Sequence, residues 1–148
     1  MLGGIIMELT LRNEIRNEIT NKLSRHYGIS AEEATTSQMY KTCARTVLQL
    51  LLEKRAKFEK QKKKNQSKKV YYLCMEFLVG RSLKNNIYNL GLKDVLQDVL
   101  SEWDFKLEDL YEEEPDAGLG NGGLGRLASC FMDSLATMEY PSMGYTIC

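Results

Sequence analysis

Five of the eleven glycines in this 148-residue chain fall in Asp116-Ala117-Gly118-Leu119-Gly120-Asn121-Gly122-Gly123-Leu124-Gly125-Arg126. Glycine admits positive φ and lets main-chain N–H groups approach a ligand that a Cβ would hold away. Leu124, Leu127, Ala128, Phe131, Leu135 and Met138 follow at helical spacing. The loop is therefore expected to feed the N-terminus of a buried amphipathic helix. Unpaired amides and the positive end of the helix dipole form an anion site at such a junction without any side chain.

The pattern G-x-G-x-x-G occurs at Gly118, Gly120 and Gly123, and again at Gly120, Gly122 and Gly125. A dinucleotide fold would need a hydrophobic strand directly before it, whereas Glu112-Glu113-Glu114-Pro115 stands there. The Lys-Ser/Thr of a Walker loop is missing as well. Glu76 is the one charge in the apolar run Val70–Phe77, so its carboxylate needs a partner. Arg81 and Arg126 are the available cations, and Glu76 is read either as a structural ion pair or as a direct substrate contact. His26, the only histidine, has no nearby nucleophile and is read as an ordinary helix-end residue. Residues 102–116 hold eight acids and one lysine, from which no glycosidase-type pair stands out.

Twenty basic and twenty acidic residues cancel, which excludes a globally basic nucleic-acid binder. Cys43, Cys74, Cys130 and Cys148 are widely spaced with no C-x-x-C, so free thiols in a reducing cytoplasm are expected, with no disulfide and no metal site. Residues 53–69 carry nine Lys or Arg against two acids, with Phe58 as the only aromatic, and read as a solvated arm rather than a nucleic-acid surface. The first nine residues form neither a signal peptide nor a membrane span, and the start is Met1 or Met7.

The elements that must position the loop are legible in outline. Leu11, Ile15, Ile19 and Leu23 predict an amphipathic helix ending at Gly28. Ser30 with Glu33 reads as a capping box, and Ser37 as the opening of a longer helix carrying Tyr40, Cys43, Ala44, Val47, Leu48 and Leu51, which should cover a sheet. Val70 to Phe77 predicts a strand buried on both faces. Connecting helices follow over Ser82 to Leu90, Lys93 to Leu100 and Lys106 to Tyr111. After the glycine-loop helix, Glu139 to Ser142 turns into a second strand from Met143 to Ile147.

Two blocks carry a resemblance. Glu114 to Ala128 resembles the glycine loop and following helix of the α-glucan (glycogen, starch and maltodextrin) phosphorylases. Val70-Tyr71-Tyr72-Leu73-Cys74-Met75-Glu76-Phe77-Leu78-Val79-Gly80-Arg81-Ser82-Leu83, with Asn85-Asn86 and Asn89-Leu90-Gly91-Leu92, resembles the same family's first-strand motif. The resemblance covers about residues 10 to 147. It implies an α/β fold, the N-terminal portion of a GT-B-like, Rossmann-like glycosyltransferase domain, mostly helical with two strands and truncated. Residues 1–148 would be a piece of that N-terminal domain: a helical region 10–64, a basic linker 65–69, and 70–148 with the first strand, glycine loop and start of the second strand.

The activity implied is phosphorolysis of terminal α-1,4-glucosidic bonds to α-glucose 1-phosphate, with pyridoxal phosphate as cofactor and a cytoplasmic homodimer as the parent. Carry-over gives Gly122 and Gly123 the substrate phosphate through their amides, puts Leu124 beside the glucosyl unit, and leaves Asn121 to shape the loop and Asp116 at its rim. The positive-φ backbone is expected at Gly123. The family's cofactor lysine has no counterpart here, so no residue is assigned a catalytic role and the isolated stretch is expected to be inactive. Arg55, Glu59, Lys60 and Lys63 replace the aromatic and glutamine residues that bind an activating nucleotide in some members. Thr146-Ile147-Cys148 departs from the family's Gly-Ile-Arg-Tyr, which suggests a truncated or frame-disrupted product. The alternative is a noncatalytic module in which the loop binds phosphate or phosphosugar and the lysine arm a polyanion.

Overall fold

A computed structural model describes residues 2–147, with side chains from Leu9 onward. Met1 and Cys148 lie outside the described residues, as does the side chain of Met7. The chain order is α1 (Leu2–Tyr27), α2 (Thr36–Lys64), β1 (Val70–Leu73), α3 (Leu83–Asn89), α4 (Lys93–Ser101), α5 (Leu107–Glu112), α6 (Gly123–Thr137) and β2 (Ser142–Tyr145). The two strands pair in parallel, from Val70 opposite Ser142 to Leu73 opposite Tyr145. No described helix is long and apolar enough to cross a membrane.

The chain divides into two compact units, Met1–Leu52 with Ser82–Pro115 and Glu53–Arg81 with Asp116–Cys148, and α2 runs from the first into the second. The first unit is helical. The four-residue repeat in α1 buries Ile15, Ile19 and Leu23, and α1 packs on α4, whose Leu96, Val99 and Leu100 are also buried. Each such side chain contributes roughly 1.5–3 kcal/mol on leaving water. Gly28 ends α1 in the left-handed region, φ +68°, with its N–H donating to the Ser24 carbonyl at 3.0 Å.

The entry to α2 differs from expectation. The Ser30 amide does donate to Glu33 Oε2 at 2.9 Å, but residues 31–34 form only a turn, closed by the Ala34 amide on the Ala31 carbonyl at 3.3 Å. The reciprocal capping box is Thr35 with Gln38: the Thr35 amide donates to Gln38 Oε1 at 2.9 Å and the Gln38 amide to Thr35 Oγ1 at 3.3 Å. Ser37 therefore lies inside the helix. Nor does α2 cover a sheet. Met39, Thr42, Cys43, Thr46 and Val47 are its buried face, in a unit without strands, while Leu48 is exposed. Thr42 and Thr46 are accommodated because their hydroxyls donate to the carbonyls of Gln38 and Thr42.

The helices read as connectors between Ser82 and Tyr111 form much of this unit's core, through Leu83, Ile87, Val95, Leu107 and Leu110. Glu114 holds the first of them in place, its carboxylate accepting the amides of Ser82 at 2.8 Å and Leu83 at 2.9 Å at the start of α3.

The second unit joins the end of α2, the two strands, the glycine loop and α6. Its strand is shorter and barer than the sequence suggests. β1 stops at Leu73, and Val70, Tyr71 and Leu73 are exposed, because one parallel neighbour leaves an edge and one face open, while Tyr72 on the other face packs against the Phe77 and Phe131 rings. In α6 the buried residues are Gly125, Ala128 and Ser129. Leu124, Leu127, Phe131 and Met138, expected to be its core face, are exposed. These small residues are fully packed, while Met132 and Leu135 are half-buried and exposed Phe131 meets the Tyr72 ring.

Candidate functional site

Beyond β1 the chain runs extended past the glycine loop and is stitched to it by main-chain bonds. The Phe77 amide donates to the Leu119 carbonyl at 2.7 Å, and the Leu78 amide to the Gly125 carbonyl at 3.0 Å. On the other side the Cys74 amide donates to the Tyr145 carbonyl at 3.0 Å, and the Thr146 hydroxyl to that of Met75 at 2.8 Å. The two sequence blocks are thus one structure, because each supplies the other's backbone partners.

This packing explains the glycines individually. Gly118 has φ +66°, and its amide donates to Asp116 Oδ1 at 2.7 Å in an Asx-type turn. A Cβ at Gly120 would lie 2.7 Å from the Leu78 nitrogen and 2.8 Å from the Phe77 carbonyl carbon. One at Gly125 would lie 2.9 Å from Glu76 Cγ and 3.0 Å from the Leu78 nitrogen. Gly123 is different. Its φ is not in the left-handed region, and a Cβ there would meet nothing within 4 Å. The positive-φ turn expected at Gly123 is at Gly118 instead.

Glu76 is half-buried against the loop, and its partners are amides. Oε2 accepts the Asn121 N–H at 3.0 Å and Oε1 the Gly125 N–H at 2.8 Å. These two bonds, with a weaker pull from the Gly122 amide, hold the Glu76 carboxyl below the usual carboxylate range against the opposing effect of burial. Neither arginine contributes to that shift, and Arg126 is exposed with no ion pair among the described residues. The need for a partner was legible in the sequence, but the partner's type was not. Gly122, the residue before α6, has no side chain to cap the helix, and Glu76 does so from another segment.

At the start of α6 the Gly125 amide bonds to Glu76, the Gly122 amide is drawn more weakly to the same carboxylate, and the Arg126 amide begins the helical ladder to the Gly122 carbonyl at 3.0 Å. The amides of Gly123 and Leu124 have no partner among the described residues.

Asp116 and Asn121 line an open cavity of about 820 Å³ with Glu76, Leu78, Gly118 and Leu119. Gly122, Gly123 and Leu124 are not in its lining, so the structure separates the rim residues from the helix's first turn. Leu124 is 55% exposed on that turn. No described cluster of three His, Cys, Asp or Glu could hold a metal ion.

The family model described as carbohydrate phosphorylase matches residues 100–148. The chain is 47% identical over 114 residues to glycogen phosphorylase of Chlamydia trachomatis, covering 77% of this chain and 14% of that one. It is 41% identical over 140 residues to glycogen phosphorylase of Pasteurella multocida, covering 95% of this chain and 17% of that one. By sequence, this is the N-terminal part of an α-glucan phosphorylase. A shorter match, 62% over 78 residues, reaches the chloroplastic/amyloplastic alpha-1,4 glucan phosphorylase L isozyme of Vicia faba, with 53% of this chain and 8% of that one covered. The phosphorylase segment spans only about 14% to 17% of the relatives that it matches over most of its own length.

Proposed function

We propose that this stretch supplies the phosphate-binding glycine loop of an α-glucan phosphorylase, which cleaves a terminal α-1,4-glucosidic bond with inorganic phosphate to give α-glucose 1-phosphate. Gly123 carries the reading. Gly118, Gly120 and Gly125 are required by turn or packing, but nothing within the chain requires glycine at 123. A glycine in a helix costs roughly 1 kcal/mol or less relative to alanine. A reason outside the chain is an anion that must come close to the unpaired amides of Gly123 and Leu124, where the helix dipole favours negative charge. Gly122, expected to share the phosphate with Gly123, is the N-cap of α6, and its amide is drawn weakly to Glu76.

On this reading Leu124, exposed beside the open amides, packs against the glucosyl unit, and Asn121 and Asp116 shape the loop. The two parallel strands are the opening of a GT-B-like sheet. Pyridoxal phosphate would supply acid–base chemistry through its phosphate. The described residues lining the loop cavity include no lysine to anchor it, so no residue here is given that role.

Two measurements test the proposal. The 148-residue chain incubated with glucan, phosphate and pyridoxal phosphate should release no glucose 1-phosphate, because one wall of a site does not turn over; product above a blank overturns this. In a chain completed to the relatives' length, Gly123→Ala should lower phosphorolysis about a hundredfold or more with a melting temperature unchanged or slightly raised. Near-parental turnover would show that the loop is only structural.

A further inference from the structure

We infer that Glu76 is the resident anion of the glycine loop: a positioning residue whose carboxylate occupies the Asn121 and Gly125 amides and thereby leaves Gly123 and Leu124 as the pair open to an outside anion. This rests on the phosphate reading only for the fate of that open pair.

Three observations converge. The carboxylate spans both ends of the loop's last turn, one oxygen on each amide at 3.0 and 2.8 Å. Gly125 has no room for a Cβ because Glu76 Cγ and Cδ, together with the Leu78 nitrogen, fill that space, so the helix's first turn is packed directly on this carboxylate and its segment. The two main-chain bonds from Phe77 and Leu78 seat Glu76 independently of its own charge. An anion arriving at the helix therefore meets a terminus already partly neutralised, where Gly123 and Leu124 are the amides that the carboxylate does not engage. Two fixed donors orient a phosphate more narrowly than a flexible glycine nest would, and the neighbouring negative charge disfavours its sliding towards Asn121.

Of the other ionisable groups, Asp116 lines the same cavity as Glu76, while Arg126 follows on α6, Cys74 lies on Glu76's own segment and Tyr145 on β2. Asp116 has its own reporter, because its carboxylate accepts the Gly118 amide.

The test is residue-resolved amide NMR on the full chain. Without phosphate, the Asn121 and Gly125 amides should move together as one carboxylate titrates below the ordinary range, independently of Gly118. Glu76→Gln should abolish that movement and leave Gly118's in place. Persistence of the movement in this variant, or its absence from the parent chain, overturns the inference. If Glu76→Gln does not fold, Asp116→Asn decides: it should remove the Gly118 response and keep those of Asn121 and Gly125, and loss of all three overturns the assignment.

Inorganic phosphate is then added. It should shift Gly123 and Leu124 in the parent chain and spread to Asn121 and Gly125 in Glu76→Gln, whereas an equal response of all four in the parent overturns the partition. An intact carboxylate titration with no phosphate response anywhere supports Glu76 as the loop's anion and overturns the phosphate reading instead.

Discussion

The two units use the same device at a helix N-terminus and surround it differently. In the first, Glu114 caps α3 inside a unit whose hydrophobic cluster runs from Ile15 through Met39 and Val99 to Leu110. In the second, Glu76 caps α6 on a scaffold where Phe77 and Ala128 are the only described hydrophobic residues fully buried, while Leu73, Met75, Leu127, Phe131 and Ile147 are exposed. In the first unit the cap stabilises a packed fold. In the second, where no packed core stands behind it, the cap's visible consequence is the arrangement of the loop amides. Apolar exposure on this scale marks a surface that ordinarily meets other protein.

The largest expected effect tests the contrast in packing. Leu100→Ala, at a fully buried position in the first unit, should cost about 2–5 kcal/mol in urea unfolding, whereas Leu127→Ala in α6 should change stability by roughly 0.5 kcal/mol or less. Similar losses at both would mean that α6 is covered in solution.

Within the glycine loop the differences are smaller but sharper. Gly120→Ala presses on the Phe77–Leu78 peptide at 2.7 and 2.8 Å and should cost about 1–3 kcal/mol, because the Leu78 amide of that peptide is held by the Gly125 carbonyl and the Phe77 amide before it by that of Leu119. Gly123→Ala should leave the melting temperature unchanged or slightly raised. A destabilised Gly123→Ala would remove the distinction on which the phosphate reading depends.

Acid should separate the units by a modest amount. Glu102 is held below the usual carboxylate range chiefly by its bond from Arg16, with Arg12 assisting, and Glu76 by backbone amides. Both pKa values are lower folded than unfolded, so their contributions are complete above the ordinary carboxylate range and are lost as pH falls below it, through the depressed values. Hydrogen exchange at pH 7 and pH 3 should show the Asn121–Gly125 turn loosening while the amides of α4 stay protected. Equal loosening would mean that the Arg–Glu102 cluster matters as much to its unit as Glu76 does to the loop.

The thiols should report the same contrast. Burial pushes the Cys43 thiol up to about 12, and it should resist alkylation at pH 8, while exposed Cys130 reacts readily, as peptide mapping can check. The smallest effect is expected at the lysine arm. Replacing Lys62, Lys63 and Lys64 by glutamine should leave the fold unchanged and phosphate binding nearly so, since a helical pair such as Lys62 with Glu59 is a weak, screened interaction. A salt-dependent loss of binding would instead favour the polyanion module.

Much was legible before any coordinates. The repeat of Ile15, Ile19 and Leu23, the stop at Gly28 and the helix after the glycine loop are local facts, set by spacing and by the freedom of glycine, and they appear where they were expected. Errors arose wherever a residue's fate depended on a distant neighbour. Ser30-Glu33 and Thr35-Gln38 both fit the box pattern, and the reciprocal bonds close only at the second. Val70–Leu73 and the large apolar residues of α6 read as buried because their chemistry demands cover, yet burial requires an opposing surface that composition cannot supply.

The sequence by itself determined that a glycine loop precedes a helix, that Glu76 needs a partner, and that the two blocks resemble one family. Only the tertiary structure decided how those facts combine. It brought residues 76–78 against 119–125, gave the carboxylate to backbone amides instead of an arginine, moved the left-handed turn to Gly118, and left Gly123 unrequired by its own chain. The reason is physical: a main-chain N–H is present at nearly every position and so leaves no mark in the sequence, and which amides remain unpaired is settled only when distant segments pack.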